Sequence, residues 1–232
     1  MTPSALAERF ALPPGADGAL EALVDLVASD PTAPTTVTER GDVLRDHLAD
    51  SLVALEFDWV RTSSRIADLG AGAGFPGLPL AVALPRARIA LVESIGRKCT
   101  FMAHAAEACG IANVEVVCAR AEEWRAGIGV CDLVTARAVA PLSVLAEYAA
   151  PLLCDGGRLV AWRGRRDPED ELAAGRAAAE LGLQVWDPVP VSPYPGALHR
   201  HLHVMVKVAA TPERFPRRAG MARKRPLGQR AI

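Results

Sequence analysis

Ile66-Ala67-Asp68-Leu69-Gly70-Ala71-Gly72-Ala73-Gly74-Phe75-Pro76-Gly77 decides the fold. An apolar run closes on an acid, glycine then recurs at every second position, and residues able to open a helix follow. Lacking a Cβ, glycine takes backbone angles that other residues resist and lets a ligand approach the chain closely. Strand, loop and helix in that order cradle a nucleotide-like molecule at the carboxyl end of the first strand of an α/β sheet.

Outward from this loop the pattern alternates. Short apolar runs at Arg65–Leu69, Ile89–Glu93, Val114–Ala119, Leu133–Ala136 and Arg158–Trp162 are each followed by a helical stretch, the signature of a parallel sheet covered on both faces. The helices are expected over Gly77–Leu84, Arg97–Cys109, Pro141–Leu153 and Pro168–Leu181. Two further runs, Gln184–Val189 and Leu202–Val208, have no long helix between them and predict a hairpin, with an antiparallel strand at or near one edge. Upstream, helices are expected over Ser4–Ala11, Ala16–Ser29 and Glu39–Glu56. The organisation is thus a helical cap over 1–60, part of the same domain, a Rossmann-like α/β core over 61–210, and an extended basic C-terminal arm over 211–232.

Half of the 232 residues are hydrophobic, enough for a proper core, and the formal charge is −1. Its distribution is uneven: Arg214, Arg217, Arg218, Arg223, Lys224, Arg225 and Arg230 face one acid, Glu213, in the tail, a pattern that phosphate backbones attract. Cys99, Cys109, Cys118, Cys131 and Cys154 are odd in number and scattered, without a Cys-x-x-Cys, and read as reduced core thiols. No apolar stretch approaches the roughly 20 residues of a membrane helix, and the N-terminus lacks a signal-peptide pattern. The expectation is a soluble, cytoplasmic protein with no membrane partner.

Two ligands compete for the loop. Gly72-Ala73-Gly74-Phe75-Pro76-Gly77 satisfies the dinucleotide pattern Gly-x-Gly-x-x-Gly, a weak match by itself. Asp68-x-Gly70-x-Gly72-x-Gly74 is the first motif of S-adenosylmethionine-dependent methyltransferases, with Asp68 placed near the methionine ammonium. Glu93 ends the second strand, where a carboxylate accepts ribose hydroxyls in either class, and Glu122 follows the third, at the adenine edge. Acids after three consecutive strands suit a cationic sulfonium better than an anionic pyrophosphate.

The stretch Asp68–Leu80, ending in Gly-Phe-Pro-Gly-x-Pro, resembles the RsmG (GidB) family of bacterial methyltransferases. Matches continue through Arg45-Asp46-His47-Leu48-Ala49-Asp50-Ser51, Glu93–Lys98, Arg120–Glu123, Arg137, Arg200-His201-Leu202 and Phe215–Leu227, so the likeness covers roughly 41–227. It implies a class I methyltransferase fold, S-adenosylmethionine as cofactor, and N7 of a guanosine in 16S ribosomal RNA of the small ribosomal subunit as acceptor. It also implies cofactor contacts from Gly70, Gly72, Gly74, Phe75, Glu93, Ser94, Ile95, Ala121 and Glu122, and places Arg137 at both cofactor and reaction centre. For Arg137 a salt bridge to an acid such as Asp68 is the alternative. His47 and Asp50 lie one helical turn apart, either capping the pocket or bracing their helix.

The expected RNA footprint is His47, Arg97, Lys98, Arg163, Arg165, Arg166, Arg217, Arg218, Lys224 and Arg225. Two departures from the family stand out: the segment Val27–Thr38 lacks its Trp-Asn … Asn-Leu-Thr, and Arg163-Gly164 replaces Lys-Gly. Guanine N7 carries a free lone pair, so no general base is expected, and orientation supplies the catalysis. His199-x-His201-x-His203 has the alternation of a metal-binding strand but no further ligand nearby, and no metal is expected. The protein is expected to be a monomer. An adenosyl-ligand-binding module without catalysis, a methyltransferase with another acceptor, and a dehydrogenase remain the rival readings.

Overall fold

Side chains on a strand point alternately to opposite faces, and the strands of the computed structural model, which describes residues 1–229, sort their apolar residues accordingly. The strands are β1 (Arg65–Leu69), β2 (Arg88–Glu93), β3 (Val114–Cys118), β4 (Cys131–Arg137), β5 (Leu153–Arg163), β6 (Leu183–Val185), β7 (Val189–Pro190) and β8 (His201–Lys207). Ile66, Ile89, Leu91, Val160 and Trp162 join one apolar cluster, whereas Ala67, Leu69, Ala90, Val92, Leu159 and Ala161 join a second one on the other face.

The sheet runs β3-β2-β1-β4-β5-β8-β6, with β7 pairing the other end of β8. The pairings from β3 to β5 are parallel, and β8 is antiparallel to β5, β6 and β7. Strand order reverses between β1 and β4, which opens a crevice at their carboxyl ends, the place where ligands bind in open α/β sheets. The expected hairpin forms, but the run Gln184–Val189 is divided into β6 and β7. Similarly, β5 starts at Leu153 instead of Arg158, and the helix before it, Leu142–Ala149, is correspondingly shorter.

The first cluster is completed by helices that precede the sheet. Leu20, Leu23, Val24 and Val27 of helix Ala16–Ser29 are fully buried there, each stabilising by roughly 1.5–3 kcal/mol relative to exposure. The helix expected over Glu39–Glu56 is composite: an α turn (Arg40–Asp42), a π-helical stretch (Val43–Ala49), a second α turn (Asp50–Leu52) and a 3₁₀ end (Val53–Glu56). Its apolar face, with Leu44, Leu48 and Leu52, packs in the first cluster.

The C-terminal segment corrects an expectation. It is no extended arm. Phe215 and Ala222 are buried in the second cluster, Arg217 grips the buried Glu147 with Nε and Nη2, one bond to each carboxylate oxygen, and Arg214 pairs with Glu180. The acids that take up these cations lie on helices Leu142–Ala149 and Pro168–Leu181, so the segment straps down across them. Arg230 lies outside the described residues. No helix among the described residues is long and apolar enough to cross a membrane.

Candidate active site

Two cavities open at the carboxyl ends of the parallel strands and share Gly70, Lys98 and Ala138 as common wall. The first, about 460 Å³, is built on the ends of β1, β2 and β3. Glu93 closes β2, and its Oε1 accepts from the amides of Ser94 (2.8 Å) and Ile95 (3.0 Å). Its Oε2 accepts from the Gly72 amide (3.3 Å) and faces Lys98 Nζ at 3.6 Å. The carboxylate is thereby fixed with acceptor capacity left over. Ser94, Ile95, Ala121 and Glu122 line the same cavity. Glu122 is buried, and its Oε1 accepts from the Gly220 amide at 2.9 Å. The strap thus forms one wall, where Arg223, donating to the Val139 carbonyl (2.9 Å), and Tyr148 join the lining. Neither residue was among the cofactor contacts expected from sequence, where Arg223 counted only as a cation of the basic tail.

The loop keeps its approach clear. Gly70 has φ +63 and a Cβ there would lie 2.7 Å from the Val139 side chain, while Gly72 has φ +62 and faces open space apart from the Gly70 carbonyl at 3.7 Å. These angles and that clearance fit close contact with an elongated adenosyl ligand. Gly74 lines neither cavity; its carbonyl accepts from the Leu78 amide at the start of the next helix.

The second cavity, about 710 Å³, lies between the composite helix, β4, β5 and the chain before β8. Arg137, the last residue of β4, donates to the Asp46 carbonyl (2.7 Å), to Asp50 Oδ2 (3.0 Å) and to His47 Nδ1 (3.0 Å). Its partner is therefore Asp50, not Asp68. Trp162 Nε1 donates to the Asp50 carbonyl at 2.7 Å. The Asp46 carbonyl lies within the π-helical stretch and the Asp50 carbonyl just past its end, and side chains from the sheet take both up. Because His47 Nδ1 accepts from Arg137, Nε2 carries the proton and donates to Thr35 Oγ1 (2.9 Å). The ring stacks on Phe75 with centroids 4.4 Å apart. Burial, and then the Arg137 charge, lower the His47 pKa to about 4, so the imidazole is neutral. His47 and Asp50 wall the pocket and brace the helix together. Ala138 leaves β4 with φ +56, a left-handed angle that costs a non-glycine residue about 1 kcal/mol.

Asp68 departs from its expected place. Its side chain is fully buried and lines neither cavity. It accepts from the Gly77 amide (2.9 Å) and Thr135 Oγ1 (2.9 Å), tying β1 to β4 and to the helix after the loop. Burial raises its pKa to about 7, with both hydrogen bonds opposing. It shapes the loop from beneath, so a contact with the ligand ammonium has no support in this geometry.

The expected cations divide. Arg163 donates to the Ala140 carbonyl and pairs with Asp170, Arg166 pairs with Glu171, and Arg217 holds Glu147. These clamp the fold, and His47 is spent in its network. Arg97, Arg165, Arg218, Lys224 and Arg225 are exposed and make no ion pair among the described residues. Arg165 and Lys98 border the second cavity. Of the three alternating histidines, His199 precedes β8 with φ +53, His201 Nδ1 lies 2.9 Å from the Gly164 carbonyl, and His203 is buried 3.9 Å from Glu171. No three His, Cys, Asp or Glu side chains among the described residues are grouped to hold a metal ion.

A family model described as rRNA small subunit methyltransferase G matches residues 27–190. This chain belongs to that family. A ribosomal RNA small subunit methyltransferase G of Chloroflexus aggregans is 44% identical over 197 residues, covering 83% of this chain and 82% of that one. Its counterpart in Rubrobacter xylanophilus is 44% identical over 192 residues, 80% of this chain and 73% of that one. Solved structures agree on the fold. A SAM-dependent methyltransferase of Aquifex aeolicus superposes with a TM-score of 0.56 at 19% identity, covering 80% of this chain and 97% of that one. Fibrillarin of Aeropyrum pernix, solved with S-adenosyl-L-methionine bound, gives 0.54 at 20% identity, covering 68% and 72%. The methyltransferase G family member described here thus has the Rossmann-like class I methyltransferase fold.

Proposed function

We propose that this chain transfers the methyl group of S-adenosylmethionine to N7 of a guanosine in 16S ribosomal RNA of the small ribosomal subunit, acting as a monomer. The observation that carries the reading is the pair of cavities joined at Gly70 and Ala138. One has fixed carboxylates for an adenosyl group and the other is open and polar for an acceptor.

The bound cofactor supplies an electrophilic methyl on a sulfonium sulfur. Glu93, held by main-chain amides, has lone pairs free for ribose hydroxyls. Ala121 and Glu122 sit where an adenine edge fits, and Gly72 lets the ligand lie against the backbone. In the acceptor cavity Arg137 is locked in orientation by Asp46, His47 and Asp50. Both nitrogens of His47 are engaged and its pKa is low, which makes it a poor base. An acceptor that brings its own lone pair suits such a site, since alignment and water exclusion are all it requires. Exposed Arg97, Arg165, Arg218, Lys224 and Arg225 supply phosphate contacts that weaken with salt.

The test is methyl transfer from radiolabelled S-adenosylmethionine onto small subunits from a strain lacking the protein, with the RNA digested to nucleosides. Label in N7-methylguanosine, lost on Glu93→Ala, is the expected result. Measurable cofactor binding with no label on subunits or naked RNA would overturn the ribosomal acceptor.

A further inference from the structure

Asp50 is 6% exposed and lines the acceptor cavity. Its Oδ2 accepts from Arg137, but its Oδ1 is buried with no hydrogen-bond partner among the described residues. A buried carboxylate oxygen left without a partner is costly unless something supplies a donor. The nearest cation is Arg200, whose Nε stands 3.5 Å from Oδ1, too long for a good hydrogen bond.

Arg200 is loosely seated throughout. Its other contacts are 3.3 Å to the Leu198 carbonyl, 3.4 Å to Asp46 Oδ1 and 3.4 Å to the Tyr194 hydroxyl, and its side chain is about a third exposed. A phosphate offers a guanidinium a shorter, charge-assisted pair. Arg200 therefore has both little holding it and a better partner on any RNA that reaches the cavity mouth.

What Arg200 turns toward Asp50 is Nε alone, at 3.5 Å from Oδ1, on a planar N–C–N donor array whose Nη2 faces Asp46 Oδ1 at 3.4 Å. Guanine carries the same array on its Watson–Crick edge, as N1–H and the N2 amine, on the side of the base away from N7. Adenine has an acceptor at N1 and no amine at C2. Resting on the guanine N7 reading above, we propose that Asp50 is the specificity-determining residue for the base: its carboxylate accepts from the Watson–Crick edge of the target guanine, taking the place Arg200 holds until Arg200 turns to a phosphate. The base is thus gripped by the edge opposite the atom that reacts, and N7 is left facing the cofactor cavity. Burial pushes the Asp50 carboxyl above the usual range, and a second donor offsets that cost.

The test uses small subunits reconstituted with inosine at the target guanosine. Inosine keeps N7 and N1–H but lacks the N2 amine. The kcat/KM of wild type and Asp50→Asn is measured on both subunits, with cofactor affinity as the folding control. Inosine should slow the wild type about 10- to 100-fold, the range of a buried hydrogen bond to a charged group. Asp50→Asn should slow guanosine methylation by a similar factor, and inosine should then cost the variant little more, since both changes remove one interaction. Multiplicative penalties overturn the proposal. So do equal wild-type rates on the two subunits, a comparison that stands even where Asp50→Asn fails to fold. If wild type makes no N7-methylguanosine on guanosine subunits, the function reading falls and takes this proposal with it.

Discussion

At the proposed adenosine end Glu93 is held by the amides of Ser94, Ile95 and Gly72, all within a strand's end and its neighbouring loop. At the proposed acceptor end Arg137 is held by Asp46, His47 and Asp50, which precede it by 87 to 91 residues. The first half relies on backbone geometry, which forms with the strands themselves. The second relies on the Arg137–Asp50 ion pair, with a main-chain carbonyl and a neutral imidazole beside it, and either charge is left uncompensated if the other goes. One half should tolerate side-chain loss with its fold intact; the other should not.

The sharpest break of that contrast is Arg137→Ala. It abandons Asp50 in a nearly buried pair, 16% and 8% exposed, and should lower the unfolding free energy by about 3 kcal/mol or more in urea titration. A loss under about 1 kcal/mol would show that the acceptor half is not clamped as described. Next, Glu93→Gln should weaken S-adenosylhomocysteine binding by about 10- to 50-fold in calorimetry, with stability changed by less than about 1 kcal/mol. Unchanged affinity would remove Glu93 from the adenosine site.

Two buried groups titrate in opposite senses. Asp68, with its pKa raised from 3.8 to about 7, holds a proton in the folded state that the unfolded chain has released, so stability falls as pH rises through that window. His47, lowered from 6.5 to about 4, is neutral when the unfolded chain is protonated, so stability is full above 6.5 and is lost as pH falls toward 4. Relative to wild type, Asp68→Asn should therefore gain stability as pH rises from 4 to 7. His47→Gln should lose it as pH rises from 4 to 6.5. Parallel curves for wild type and either variant would refute the corresponding burial argument. The smallest effect concerns RNA. Arg97→Gln and Arg165→Gln should each reduce the salt slope of subunit binding by about one, with cofactor affinity intact.

The same contrast explains what could be read from sequence. The glycine loop, β1 and the acid closing β2 are local patterns, and Arg65–Leu69 and Glu93 stand where the residue pattern puts them. Side-chain periodicity does not register a π-helical stretch within Val43–Ala49, because the apolar face is kept while the hydrogen bonds change. The Arg137–Asp50 pair was illegible, since nothing near either residue names its partner. Asp68 looked like a ligand residue because its spacing is right, yet Thr135 and Gly77 claim it from below. In the tail, composition suggested an arm. Glu122, Glu147 and Glu180, acids on other elements, turned it into a strap.

That strap sets an order in time. Protein synthesis delivers Gly70 and Glu93 well before Gly220 and Arg223, and folding can begin at the emerging end. Until residues 215–223 leave the ribosome, Glu122 lacks the Gly220 amide and the smaller cavity lacks the wall that carries Arg223. On the proposed site, the nascent chain thus cannot wall in its cofactor while most of its sheet is already made, and synthesis of the strap is also the step that completes the binding site.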